Sequence, residues 1–201
     1  MGERAIAAGM EKVRAECGKY DAECIFNVDE TGLFYKILQR QTFLVPTENR
    51  KTTWGVKGMS AKERITLYVC TNATGVKVPL VAIGSSKDPR CFRVRKPPFL
   101  YIQQAKAWSD GRTMKLWWNF FLRWVRNFTR KPCLLLMDNH SSHADLVDPQ
   151  GNVRVTEYPP NCTAKHQPMD RGIIAATKKI TKTRYLAARV AMMEAVPKLH
   201  E

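Results

Sequence analysis

Asp29, Asp138 and Asp170 are the residues of this 201-residue chain whose type and setting could do chemistry together. Asp29 follows Cys24-Ile25-Phe26-Asn27-Val28 and Asp138 follows Leu134-Leu135-Leu136-Met137. Asp170 stands where Gln167-Pro168-Met169 gives way to a long helix-forming segment. An acid at the tip of a buried apolar strand is a costly place for charge unless something positive sits there. Three hard oxygen donors at one point repel one another unless a cation holds them. Mg2+, or Mn2+ in its place, prefers carboxylates plus waters and substrate phosphate oxygens, which suits such an open cluster. Two ions about 3.5 to 4 Å apart clamp the attacking and leaving oxygens of an in-line phosphoryl displacement. Each acid also has a plainer role open to it. Asp29 suits a turn before Gly32, Asp138 an Asx-type turn with Asn139, and Asp170 a helix cap.

The charge balance favours the chemical reading. The chain carries 33 Lys and Arg against 18 Asp and Glu, a net charge of +15. Such an excess points to a polyanionic partner, with nucleic acid first, although a solvated basic surface is the alternative on composition alone. A basic surface around an acidic, metal-filled centre is what a nuclease-type site requires: Lys and Arg hold the phosphate backbone and the metal holds the cleavage point. The six cysteines form no Cys-x-x-Cys pair, and Cys70 and Cys133 lie in apolar stretches where a free thiol packs as a small hydrophobe. With no apolar block in residues 1 to 20 and no membrane-length apolar run, a reducing compartment is expected, cytosol or nucleus. Cys162, His166, His140 and His143 have spacing usable for zinc, but structural zinc sites usually announce themselves with paired cysteines.

The elements that must position the acids follow from periodicity. Ile6, Met10, Val13 and Cys17 mark one face of a helix over residues 3 to 17, ended by Gly18. The strand ending at Asp29 is expected to turn at Gly32 and return over Leu33 to Leu38 as a hairpin. Residues 46 to 63 read as an exposed basic loop. Arg64 to Thr71 and Val76 to Ile83 then flank the turn Asn72-Ala73-Thr74-Gly75, a second hairpin. Ser85 to Pro98 reads as loop and Phe99 to Gln103 as a short strand.

A helix is expected from an N-cap at Ser109 to Pro132, with Leu116, Phe120, Trp124 and Phe128 on its core face and Trp117 and Phe121 beside them. Asp148-Pro149-Gln150-Gly151 is a turn, Val153 to Tyr158 a strand, and residues 170 to 194 a helix. On that last helix Arg171, Lys178, Lys182 and Arg189 would share a face towards DNA, while Ile173, Ile180 and Ala187 would face the sheet. Mixed strands with interleaved helices make the fold class α/β, a mixed β-sheet flanked by helices.

Three blocks resemble a known family. Ile25-Phe26-Asn27-Val28-Asp29-Glu30-Thr31-Gly32, Leu135 through His143, and Pro159-Pro160-Asn161-Cys162-Thr163 running into Gln167-Pro168-Met169-Asp170 look like the three signature blocks of DDE-superfamily endonucleases. The branch they resemble is that of the pogo/Tigger-like transposases and the host proteins derived from them. Lys62 to Leu67, Pro89 to Phe92 and Ala107-Trp108 fit as well, so the resemblance spans about residues 22 to 180.

The resemblance implies an RNase H-like fold with Asp29, Asp138 and Asp170 as catalytic, metal-binding acids. A metal-activated water would cut the phosphodiester at a transposon end, and the freed 3′-hydroxyl would attack target DNA. Asn139, His143 and Gln167 would support the metal site or contact DNA, and Lys57, Arg64, Arg171, Lys178 and Lys182 would hold nucleic acid. The expected partner is DNA, with a homo-oligomer allowed, no membrane, no small organic cofactor, and a nuclear location. Expected boundaries are an N-terminal helix over residues 1–21 as remnant or linker, a catalytic domain over 22–195 and a tail over 196–201. About twenty residues precede the first block, where members of this branch carry a helix-turn-helix region, so the end-recognition domain is expected to be missing. The alternative is a catalytically silent, domesticated nuclear protein that binds DNA or protein partners.

Overall fold

The computed structural model describes residues 3–35, 63–139, 146–160 and 162–195. Its centre is a six-stranded mixed sheet in the order β4-β3-β2-β1-β5-β6. The strands are β1 (Ile25–Phe34), β2 (Arg64–Asn72), β3 (Val81–Gly84), β4 (Leu100–Gln103), β5 (Cys133–Met137) and β6 (Val153–Glu157). β1 pairs antiparallel with β2 and parallel with β5, and β6 extends the parallel half. Helices α1 (Glu3–Cys17), α2 (Arg90–Val94), α3 (Gly111–Phe128), α4 (Thr163–His166) and α5 (Ile174–Ala195) complete the described chain.

Alternation along the strands assigns the two faces. Phe26 and Val28 of β1 and Cys133, Leu135 and Met137 of β5 pack under α3 with Met114, Trp117, Trp118, Phe121 and Val125. Leu134 and Leu136 point the other way, onto Met10, Val13, Tyr158 and Cys162, so α1 covers that side of β5. Further along the same face Leu33, Leu67 and Val69 meet Met169 and Ile174, where the chain enters α5. With helices on both sides, every residue of β5 is buried, which is why its sequence is unbroken apolar.

Several expectations are corrected. β1 runs straight through Gly32 to Phe34, so there is no hairpin at Gly32 and Asp29 sits inside a strand rather than at its tip. The partner of β1 is β2, with Phe34 opposite Arg64. Residues 36–38 of the expected return strand lie outside the described residues, as does the basic loop up to 62. The second hairpin is present, though β3 begins only at Val81, after an isolated bridge between Thr71 and Lys77. Residues 90–94, expected as loop, form α2.

The cap of α3 is Asp110, not Ser109. Its carboxylate accepts the Thr113 amide at 2.8 Å, and the Thr113 hydroxyl in turn accepts the Asp110 amide, a reciprocal box that closes both donors. The buried face of α3 follows Met114, Trp117, Phe121 and Val125, while Leu116 and Phe128 are exposed. Steps of three and four hold the stripe over the sheet, whereas a run stepping only by four drifts around the helix. Ile173, just before α5, and Ile180 face the sheet across an open groove and stay partly exposed, and Ile174 makes the buried contact.

Candidate active site

Register and alternation bring two of the acids together. Asn27 lies opposite Leu136 in the parallel pairing of β1 and β5. Two residues further on, Asp29 is level with Asp138, just past the last residue of β5. Both share parity with Leu134 and Leu136, so both project on the face away from α3. They line a cleft of about 310 Å³ together with Glu30, Gly32, Arg64, Thr66, Trp108 and Ser109. Glu30, of opposite parity, is held from the α3 side, where the Ser109 hydroxyl donates to its Oε1 at 2.9 Å.

Asp170 arrives on the irregular turn Met169–Ile173, in which Arg171 and Gly172 leave helical geometry and Gly172 takes φ of 122°. That value is in the region open to glycine, and it lets the chain bend before α5 begins. The turn is tied to the sheet by one side chain. Asn27, 5% exposed, donates from Nδ2 to the Leu136 carbonyl at 3.0 Å and accepts the Met169 amide on Oδ1 at 3.1 Å. One buried amide thus joins the strand of Asp29, the strand leading to Asp138 and the residue before Asp170.

The electrostatics report the crowding. Burial pushes the Asp29 carboxyl up to about 7, and the charges of Asp170, Glu30 and Asp138 add to the rise. The Glu30 amide, donating to Asp29 Oδ1 at 2.8 Å, is a partial offset. Asp170 differs from the other two in its exposure, yet of the three neighbouring acids its charge acts most strongly on Asp29.

Residues 62–199, more than two thirds of the chain, match the DDE superfamily endonuclease family. The chain belongs to that family. This DDE chain is 33% identical over 181 residues to the human Jerky protein homolog, covering 84% of itself and 31% of the relative. It is 27% identical over 161 residues to mouse Tigger transposable element-derived protein 4, covering 79% and 30%. It is 29% identical over 195 residues to CENP-B homolog protein 2 of Schizosaccharomyces pombe, covering 88% and 35%. The chain therefore spans about a third of the length of these relatives, which place it in the pogo-like, transposase-derived branch. Among solved structures, Mos1 transposase in its paired-end complex with the left transposon end superposes with a TM-score of 0.58 at 14% identity, covering 90% of this chain and 49% of that one. A Mos1 mariner paired-end complex with Mn gives 0.54 at 14% identity, covering 90% and 50%. The fold is RNase H-like, and the chain is a DDE transposase-like domain.

Within this DDE domain the remaining expected residues are dispersed. Arg64 lines the cleft. Asn139 is exposed, and its Nδ2 donates to Glu157 Oε2 at 2.9 Å, tying the ends of β5 and β6. Gln167 is fully buried, with neither amide atom hydrogen-bonded. Arg171 precedes the bend at Gly172, so it does not continue a face of α5; its guanidinium donates to the Lys165 carbonyl at 3.0 Å. Lys178 is half-buried and Lys182 exposed on α5. His143 and Lys57 lie outside the described residues, as does His140 of the zinc spacing. Cys162 is buried against Met10, its thiol donating to the Pro159 carbonyl at 2.8 Å. Sequence reasoning missed Asn27, and the only trace it could have offered was a lone amide inside an otherwise apolar strand.

The donor set suits a hard divalent cation: carboxylate oxygens at a cleft where burial and mutual repulsion make the bare anions unfavourable. Among the described residues, no three His, Cys, Asp or Glu side chains are gathered tightly enough to hold an ion as they stand. Among these residues no helix is long and apolar enough to cross a membrane.

Proposed function

We propose that this domain is a divalent-metal-dependent DNA endonuclease of the transposase type, with Asp29, Asp138 and Asp170 as the acids that hold Mg2+ or Mn2+. The observation that carries the reading is Asp29: a buried carboxyl pushed up to about 7 by its burial and by three neighbouring acids, beside Asp138 just past the carboxyl end of β5. That edge of an open α/β sheet is where ligands bind. When bound, the metal would activate a water for attack on the phosphodiester and offset the charge that develops on it.

The chain's own residues do the rest. Asp29 and Asp138 fix the point of attack from two adjacent strands, and Asn27 keeps the turn of Asp170 against them. Glu30, held by Ser109, adds negative charge on the α3 side of the same cleft. Arg64 at the cleft, with Lys178 and Lys182 on α5, would hold the phosphate backbone, the salt-sensitive part of affinity. A chain of charge +15 acting on DNA belongs in the nucleus.

A second reading has one observation in its favour. The exposure of the Asp170 side chain fits a transposase-derived nuclear protein that binds DNA and no longer cuts it. Supercoiled plasmid incubated with the protein and Mg2+ or Mn2+, beside an Asp138→Ala variant, separates the two. Metal-dependent nicking by the wild type that the variant lacks supports the endonuclease. Plasmid retardation without nicking at saturating metal supports the silent binder.

A further inference from the structure

We propose that Trp108, backed by Arg64, is a stacking platform that receives an unpaired nucleobase at the mouth of the acidic cleft. The proposal rests on the reading of the site as one that handles DNA, and it adds a subsite that the acids alone do not supply.

Trp108 is the aromatic side chain lining the cleft that holds Asp29 and Asp138, and it stays 56% exposed. An indole left open to water forgoes a large hydrophobic gain, so its position needs a reason. Compare the tryptophans of α3: Trp117 and Trp118 are buried in the core, 0% and 4% exposed, and Trp124 packs partly buried against it. The Arg64 guanidinium lies over the Trp108 ring, 4.3 Å from its centroid, which orients the indole and leaves the ring's exposure for a second partner.

The backbone holds this arrangement at a cost. Ala107, just before Trp108, has φ of 52°, the left-handed region that a residue with a Cβ disfavours. Such strain persists only where surroundings over-determine it. Here the Thr66 hydroxyl donates to the Ala107 carbonyl at 2.7 Å, and the Gln104 side-chain oxygen accepts the Trp108 amide at 3.2 Å. The same Thr66 oxygen accepts from Arg64 at 3.1 Å. One hydroxyl therefore sets both halves of the platform, the cation and the ring.

The occupant follows from chemistry and size. A flat π-face next to a guanidinium, beside carboxylates suited to a phosphate-bound cation, matches a nucleotide: base on the ring, phosphate towards the charge. A cleft of about 310 Å³ is at the small end of ligand pockets, with room for one nucleotide and not for a duplex. The base must therefore be unpaired, as at a frayed end, an overhang or a nick, and any of the four bases will serve because each has a π-face.

The test compares a blunt duplex with the same duplex carrying a short overhang with 2-aminopurine at its first unpaired position. The protein is used whole, in Ca2+ so that binding is read without cutting. Wild type is expected to bind the overhang more tightly and to quench the 2-aminopurine. Trp108→Leu should lose about tenfold in overhang affinity and the quenching, with blunt-duplex affinity and the salt slope unchanged, because no phosphate contact is removed. Trp108→Phe, which keeps a π-face, should retain most of both. Equal affinity and equal quenching in wild type and Trp108→Leu overturn the platform while leaving the DNA reading intact. So does an equal loss on blunt and overhang substrates. A folded wild type that binds neither duplex overturns the DNA reading and the platform together.

Discussion

Asp29, inside β1 just beyond its parallel pairing with β5, and Asp148, in the turn before β6, are two poorly exposed aspartates that the fold treats in opposite ways. Asp148 is 7% exposed at the amino-terminal edge of β5 and β6. Its oxygens accept the amides of Gln150, Asn152 and Val153 at 3.1, 2.9 and 3.0 Å and the Arg126 guanidinium at 2.7 Å. Burial alone would raise its pKa, but those donors more than offset it and hold the carboxyl below its ordinary value. Asp29, near the carboxyl-terminal edge, accepts the Glu30 amide and is surrounded by acids, so burial and repulsion carry it up to about 7. One acid closes a turn and completes the fold. The other is left under-compensated where a cation would complete it, and frustration of that kind marks function more than stability.

Variants at the two ends should therefore move stability in opposite directions. The largest effect is expected from Asp148→Ala, which strands three backbone donors and the half-buried Arg126 guanidinium. Urea unfolding should show a loss of about 3 to 4 kcal/mol, and a loss under 1 kcal/mol would mean the turn is held by something else. Asn27→Ala should cost about 2 kcal/mol by unpairing the Leu136 carbonyl and the Met169 amide. Hydrogen exchange should report it at Met169, where faster exchange is expected while Cys133 and Val153, at the far edge, stay protected. Asp29→Asn should stabilise the metal-free protein at pH 8 by about 1 to 2 kcal/mol, since it removes an unfavourable buried charge. Destabilisation by that isosteric change would mean the carboxylate is well compensated after all.

The last effect is a slope. The folded pKa of Asp29 is raised above its unfolded value, so between about pH 4 and 7 the native state binds the extra proton. Stability from this group falls as pH rises through that window, and the slope should vanish in Asp29→Asn. The contribution of Asp148 has the reverse sign. It is fully present above the ordinary carboxylate pKa and is lost as pH falls through its depressed folded value. Thermal melts at pH 5 and pH 8 of wild type and Asp29→Asn check the first slope, and melts carried below about pH 4 check the second.

How much of this is legible in the sequence depends on range. The helix over Ile6, Met10 and Val13, the buried strand at Leu134, the hairpin around Asn72 and the turn at Asp148 are local patterns of period and turn chemistry, and they stand as expected. The three acids could be picked out because each sits at a junction those patterns define. What could not be read depends on partners distant in sequence. Gly32 looks like a turn, yet pairing with Thr66 keeps it extended in β1. Asn27 looks like a polar interruption until Leu136 and Met169, 109 and 142 residues away, are beside it. Ser109 resembles a helix cap but is turned towards Glu30 and Tyr68, leaving the cap to Asp110. The positive φ of Ala107 has no trace in residue type at all.

The central claim is that Asp29 is left under-compensated because a divalent cation would complete it. Calorimetric titration of the metal-free protein with Mn2+ at pH 6 and pH 8 tests it most directly, repeated in buffers of different ionisation enthalpy. The account predicts saturable binding that is tighter at pH 8, release of close to one proton per protein at pH 6, and loss of both features in Asp29→Asn. Binding that is absent, or unchanged in strength and proton release when Asp29 is replaced, would contradict it.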